Sequence, residues 1–261
     1  MANLKSHSRG VLPRGLTLME LVVVLTILVA LGAMIVPVLP NLLARTHYAK
    51  CATTIPELNK IWQQSYALNI RYADGMDSLL NQNGNSLFSA LPGAGSAGGE
   101  VQASTLNAAE IDALAAIGVR NVFDMSSAGA ENVTFDLSYS GRALADGGGV
   151  AELNIAGASV PSLNLKRHLD EPGENVRYLV FGVGPNCTAV GPGKMMVEAP
   201  VHFGGEDAMN PARFYQRYCV IFSVNGDEPA RFECACSVHP TGFDGGEAHQ
   251  QSFYEATNNE G

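Results

Sequence analysis

Charge is what this sequence has least of. Asp, Glu, Lys and Arg make up 16% of the 261 residues, against roughly 25% in an ordinary soluble domain. No Lys/Arg run occurs and the net charge is −9, so the chain lacks the basic face of a nucleic-acid binder. With 46% hydrophobic residues, too much of it is apolar for a disordered chain. Catalytic signatures are scarce as well. There is no Walker loop, and the nearest approach to a G-x-S-x-G elbow, Tyr139-Ser140-Gly141, lacks the first glycine. His47, His168, His202, His239 and His249 are scattered and match no H-E-x-x-H spacing. Gly182-Val183-Gly184 and Gly191-Pro192-Gly193 surround prolines and Cys187, which makes them turns and not phosphate cradles. No period of about 20–50 residues repeats. The chain reads as an interaction protein, not an enzyme.

What is present is concentrated at the N-terminus. Leu16 to Leu43 is 28 residues with one charge, Glu20, and 21 of them are hydrophobic. As one helix this stretch reaches roughly 42 Å, more than the roughly 30 Å of a bilayer core. Ahead of it lies a polar leader, Met1–Gly15, with Lys5, Arg9 and Arg14 and no acid. Positive charge on the short flank holds that end in the cytoplasm and puts the rest of the chain outside. A removable secretory signal with a cut near Ala30–Ala33 is one reading, and an uncleaved anchor is another. Glu20 counts against a plain form of either, because an acid in an apolar membrane helix is costly and by default functional.

The stretch Arg14-Gly15-Leu16-Thr17-Leu18-Met19-Glu20-Leu21, followed by the apolar run Val22–Leu31, resembles the class III signal of type IV pilins and type II secretion pseudopilins. The resemblance covers Arg14 to about Lys50. It implies that a prepilin peptidase cuts after Gly15 and methylates the new N-terminus at Leu16. It also makes Glu20 the acid that pairs with the Leu16 ammonium of a neighbouring subunit, each charge removing the other's desolvation cost. Pro37 falls where many pilins carry a helix-kinking proline. Arg45, Tyr48 and Lys50 mark the outer end of the segment, and Leu16 replaces the commoner phenylalanine. The partners implied are the prepilin peptidase, other pilin or pseudopilin subunits, an inner-membrane assembly platform and the membrane itself, with no nucleic acid.

Beyond Arg45, Ile55, Leu58, Ile61, Trp62, Leu68 and Tyr72 recur at three- and four-residue spacings, which extends an amphipathic helix to about Ala73. Pro56 breaks or bends it. Asn81–Ser104 is a Gly/Ser-rich loop. Asn107 and Glu110 form a capping pair for a helix that Gly118 ends. Strand-like runs follow at Val119–Asp124, Val133–Tyr139, Val150–Ile155, Val176–Val183, Tyr218–Val224 and Ala230–Val238, the last two flanking a hairpin turn at Asn225–Pro229.

The five cysteines are Cys51, Cys187, Cys219, Cys234 and Cys236. Cys234 and Cys236 lie two apart on one strand, share a face and make a poor bridge with each other. The simplest arrangement ties Cys219 to one of them and Cys187 to the other, and the sequence leaves that choice open. A Cys/His metal site is the rival, with Cys51 left over. Ca²⁺ at Asp170-Glu171 or Phe243–Glu247 is the one cofactor candidate, and a solvated turn is the better reading of both.

The expected fold class is α+β: a long N-terminal α-helix, half membrane or filament core and half amphipathic, packed on a globular head with a mainly antiparallel β-sheet. The expected organisation is a cleaved leader at 1–15, a transmembrane or filament-core helix at 16–43, its amphipathic continuation at 44–73 and an extracytoplasmic head at 74–261. The expected role is a pilin-like subunit of a type II secretion pseudopilus or a type IV pilus-like filament, anchored in the cytoplasmic membrane before assembly. A membrane-anchored extracytoplasmic enzyme or binding domain with an uncleaved anchor is the alternative.

Overall fold

The computed structural model describes residues 17–36, 39–92, 101–153, 176–203, 210–239 and 242–244. The chain divides into two compact units, Met1–Leu42 and Leu43–Gly261. In the first, helix α1 (Leu18–Ile35) buries none of its residues. It is about 27 Å long and apolar enough to cross a membrane. It ends two residues before Pro37, whose missing N–H cannot carry a helical ladder onward. Pro37 itself lies outside the described residues.

Helix α2 (Leu39–Asn69) runs through Pro56 without ending there, so of the break or bend expected from sequence the break does not occur. Ile55, Leu58 and Trp62 on this helix are fully buried. Burial of each contributes roughly 1.5–3 kcal/mol, and the three together outweigh the roughly 3 kcal/mol that an interior proline costs a helix through its missing N–H and its ring clash. The helix stops short of Ala73. Ile70 takes a left-handed φ of 55° and its N–H bonds the Tyr66 carbonyl at 2.7 Å.

The sheet that follows dominates the second unit. Its strands are β1 (Met76–Asn81), β2 (Val101–Thr105), β3 (Asn121–Ser126), β4 (Ser138–Ala143), β5 (Gly149–Leu153), β6 (Arg177–Gly182), β7 (Cys219–Val224), β8 (Arg231–His239) and β9 (Gly242–Asp244). They pair in the order β4-β3-β1-β6-β7-β8-β9, with β5 joining β6 to β2. Between β2 and β3 lies α3 (Ala108–Ala116), capped by Asn107 and Glu110 and closed by Gly118 at φ 97°.

The expected fold class needs correction on two counts. There is no single N-terminal helix from Leu16 to Ala73 serving as the spine of a head: α1 ends at Ile35, and a sheet is the main element of the fold. The sheet is also mixed, because β1 and β3 run parallel. The parallel pairing comes from β1, a strand absent from the sequence reading, as β2 also is. Met76–Asn81 reads MDSLLN, with no alternation because five of its six residues are buried. Val101–Thr105, all but its last residue inside the stretch read as loop, pairs antiparallel with β5. With β1 in place, α3 lies on the connection to a parallel neighbour, as parallel pairing requires.

Two cores flank the sheet. On one face Ile55, Leu58 and Trp62 of α2 and Leu114 of α3 meet Leu179, Phe181, Val220 and Phe222. On the other, Tyr178, Val180, Cys219 and Ile221 meet Phe88, Leu91, Val133, Leu137 and Tyr215, which all come from irregular segments. Alternate residues of β6 and β7 therefore serve opposite cores, as the two-residue period of a strand demands.

Candidate functional site

The first candidate lies in the N-terminal unit. Thr17 is the N-cap of α1 and Glu20 its third residue, and together they make a capping box. The Thr17 hydroxyl accepts from the Glu20 N–H at 3.3 Å, and a Glu20 carboxylate oxygen accepts from the Thr17 N–H and hydroxyl at 2.9 Å each. The T-x-x-E spacing that predicts this pairing is visible in the sequence, although Glu20 was read there only as a group needing an outside partner. An acid in the first turn also suits the positive end of the helix dipole. Past this box the helix is apolar on every side, with Val29 and Met34 each more than two-thirds exposed. Gly15 and Leu16, the expected cleavage and methylation positions, lie outside the described residues.

The second candidate is a row of residues across the sheet of the other unit. Register places Gly141, Phe123, Asp77, Gly182, Cys219 and Cys236 side by side on six neighbouring strands. Asp77 is completely buried. Tyr215 donates its hydroxyl to Asp77 Oδ2 at 2.8 Å, while Oδ1 has no partner among the described residues. The two glycines make this geometry possible. A Cβ on Gly182 would overlap the Tyr215 hydroxyl, and one on Gly184 would overlap the Asp77 carboxyl. Burial pushes the Asp77 carboxyl up to about 7, against the Tyr215 hydrogen bond and the Arg217 charge, which pull it down. Burial likewise pushes the Tyr215 hydroxyl and the Cys219 thiol well above their ordinary ranges, with the Asp77 charge adding to both. Asp77, Tyr215 and Cys219 are each closed to solvent, so these three side chains offer no face to a substrate.

Two arginine-centred networks tie the rest together. Arg177 bonds Glu110 at 2.7 Å and Glu152 at 2.8 Å, and also reaches the Ser104 hydroxyl and the Thr105 carbonyl. It thereby joins α3, β2, β5 and β6. Burial alone would raise the Glu152 carboxyl, but the Arg177 and Ser104 hydrogen bonds hold it below its ordinary range. Arg142 bonds Asp124 at 2.7 Å and the Gly149 carbonyl at 2.7 Å, while Ser78 donates to Asp124 at 2.6 Å. Sequence singled out Glu110 only as a helix cap and neither arginine, because bonds that span 7 to 73 residues follow no local pattern.

The four cysteines of the head are all buried thiols. Cys219, Cys234 and Cys236 belong to one core and Cys187 to the other. Burial first of all pushes Cys187 and Cys234 up to about 12. No group of three or more His, Cys, Asp or Glu side chains is placed to hold a metal ion among the described residues, and Asp170, Glu171 and Glu247 lie outside them. An open groove of about 400 Å³, lined by Tyr66, Tyr72, Tyr178, Glu228 and Arg231 among others, runs beside the β7–β8 turn. Tyr66 and Tyr72 stack there with ring centres 4.8 Å apart.

No protein-family model, no curated protein and no solved structure matches the chain.

Proposed function

We propose that the chain is a pilin-like subunit, made as a prepilin, cut between Gly15 and Leu16 and built through its N-terminal helix into a type II secretion pseudopilus or a type IV pilus-like filament. One observation carries the reading. Helix α1 is apolar on all sides and buries nothing in its own unit, so only lipid or other apolar helices can satisfy it. Its single acid, Glu20, stands one turn from the position at which the leader would be removed. The capping box involves only Thr17 and Glu20, so a cut before Leu16 leaves it intact. The reading rests on this segment and not on the sheet. In it the leader stays cytoplasmic, the second unit lies outside the membrane, and the subunit meets prepilin peptidase, an assembly platform and other subunits.

The capping box itself favours a second reading. Thr17 satisfies the Glu20 carboxylate within the chain, so a plain membrane anchor or signal sequence can carry this acid without an intermolecular partner.

N-terminal mass spectrometry of the protein from cells with and without prepilin peptidase separates the two. A peptidase-dependent N-terminus at methylated Leu16 is the expected result. An intact Met1, or a cut near Gly32, overturns the filament reading. Glu20→Ala should be processed normally yet fail to enter filaments, and normal incorporation contradicts the charge pairing.

A further inference from the structure

We infer that Cys219 and Cys236 are the disulfide-forming pair of this protein, joining β7 to β8 across the sheet, with Cys187 and Cys234 remaining thiols. The inference concerns the second unit alone and does not depend on the role of the N-terminal helix.

Strand register carries it. Cys219 and Cys236 are direct partners in the antiparallel β7–β8 ladder. Residues so paired point to the same face with Cβ atoms about 4.5–5.5 Å apart, close to the roughly 3.5–4.5 Å that a disulfide spans. Both side chains belong to the same core and are fully buried. Cys234 also faces that core, but its direct partner is Ile221. It is thus a diagonal neighbour of Cys219, at about 7–8 Å, beyond bridging reach without movement of the backbone. Cys187 packs in the core on the opposite face, so a bond from it to either β8 cysteine would have to cross the sheet. The bulge in the ladder falls between Ile221 and Phe222, beyond this pair, and leaves its register undisturbed.

The chemistry is a thiol–disulfide exchange with a small-molecule or protein disulfide as oxidant. Two S–H bonds are lost and one Sγ–Sγ bond forms. Two electrons pass to the oxidant, and its two sulfurs leave as thiols carrying the two protons. In the folded state burial disfavours the Cys219 thiolate that must attack. Oxidation therefore belongs to the stage at which the β7–β8 hairpin forms and has not yet been covered. Once closed, the same burial shields the bond from external reductants.

The test is to refold the reduced full-length chain in detergent with a reduced/oxidised glutathione mixture, block the remaining thiols in denaturant, digest with trypsin without reduction and sequence the linked peptides by mass spectrometry. Trypsin cuts after Arg217 and Arg231, so Cys219 is alone on its peptide, while Cys234 and Cys236 share the next. The expected product joins the two peptides, with fragment ions placing the link on Cys236. Cys234→Ala should keep the link and Cys236→Ala should abolish it. If Cys236→Ala does not fold, the fragment ions of the wild-type peptide still decide. A link at Cys234, a bond from Cys187 or Cys51 to Cys219, or no protein disulfide at all overturns the assignment.

Discussion

The hydroxyl of Tyr215 reaches across the sheet to Asp77, 138 residues earlier in the chain, and donates to its carboxylate at 2.8 Å. It passes through the space that Gly182 leaves by having no side chain. Two fully buried polar groups are thereby brought together at a point that neither neighbourhood in the sequence announces.

Burial of Asp77, only partly offset by this hydrogen bond, makes stability depend on pH. The Asp77 carboxyl titrates near 7 in the fold and near 3.9 in an unfolded chain. Between those limits the native state holds a proton that the unfolded state has lost. The contribution of this group to stability therefore falls as pH rises from about 4 to about 7, by about 4 kcal/mol in all, and levels off above. Asp77→Asn cannot ionise, and its amide oxygen can still accept from Tyr215. Denaturant titrations at about pH 5 and about pH 8 should show wild type losing stability relative to the variant. Parallel pH profiles would contradict the assignment.

Gly182→Ala should destabilise the protein by about 2–3 kcal/mol, because its methyl group meets the Tyr215 hydroxyl. Tyr215→Phe removes that oxygen and should cost about 1–3 kcal/mol alone by stripping Asp77 of its donor. In the double variant the two losses should be less than additive. A double-mutant cycle by urea denaturation measures the coupling, and strict additivity would show that the two sites do not touch.

Arg177 holds Glu110, which is almost fully buried, and Glu152. Arg177→Met strands both carboxylates and should cost about 3 kcal/mol or more. Arg177→Lys keeps the charge but loses the planar fork that reaches several acceptors at once, so it should fall between the two. Urea midpoints that rank wild type, Lys and Met in that order are the expected result.

Ile70 sits at the end of α2 with a φ of 55° and 72% of its surface exposed. A β-branched residue in this conformation is strained by roughly 1–2 kcal/mol, and little burial offsets it. Ile70→Gly should raise stability by about 1 kcal/mol, visible as a higher urea midpoint. A loss of stability would show that the exposed side chain holds contacts worth more than the strain.

Local pattern sufficed for part of this architecture. The apolar run with one acid placed α1, although two residues shorter at its start and ending at Ile35. Asn107, Glu110 and Gly118 placed α3, since caps and left-handed glycines act within a few residues of each other. Runs of β-branched and apolar residues placed β3, β5, β6, β7 and β8 to within a few residues. The low charge visible at the outset is consistent with a unit whose sheet buries both faces and whose buried ions are gathered around Arg177 and Arg142.

Other features were decided only in three dimensions. β1 has no alternation because it is buried on both sides, so its sequence gives no period to detect. Its parallel pairing with β3 depends on the connection through α3, a long-range choice. Pro56 does not stop α2, because packing of Ile55, Leu58 and Trp62 outweighs the lost hydrogen bond and the ring clash together. The cysteine spacing showed that Cys234 and Cys236 share a face, but the register of β7 against β8 selects Cys236 as the partner of Cys219. Asp77 carries no motif; only the sheet, by setting it beside Gly182 and beneath Tyr215, makes it a buried acid that holds its proton near neutrality. Short-range sterics and periodicity are written in the sequence, whereas the desolvation and pairing of distant polar groups exist only once the sheet has closed over them.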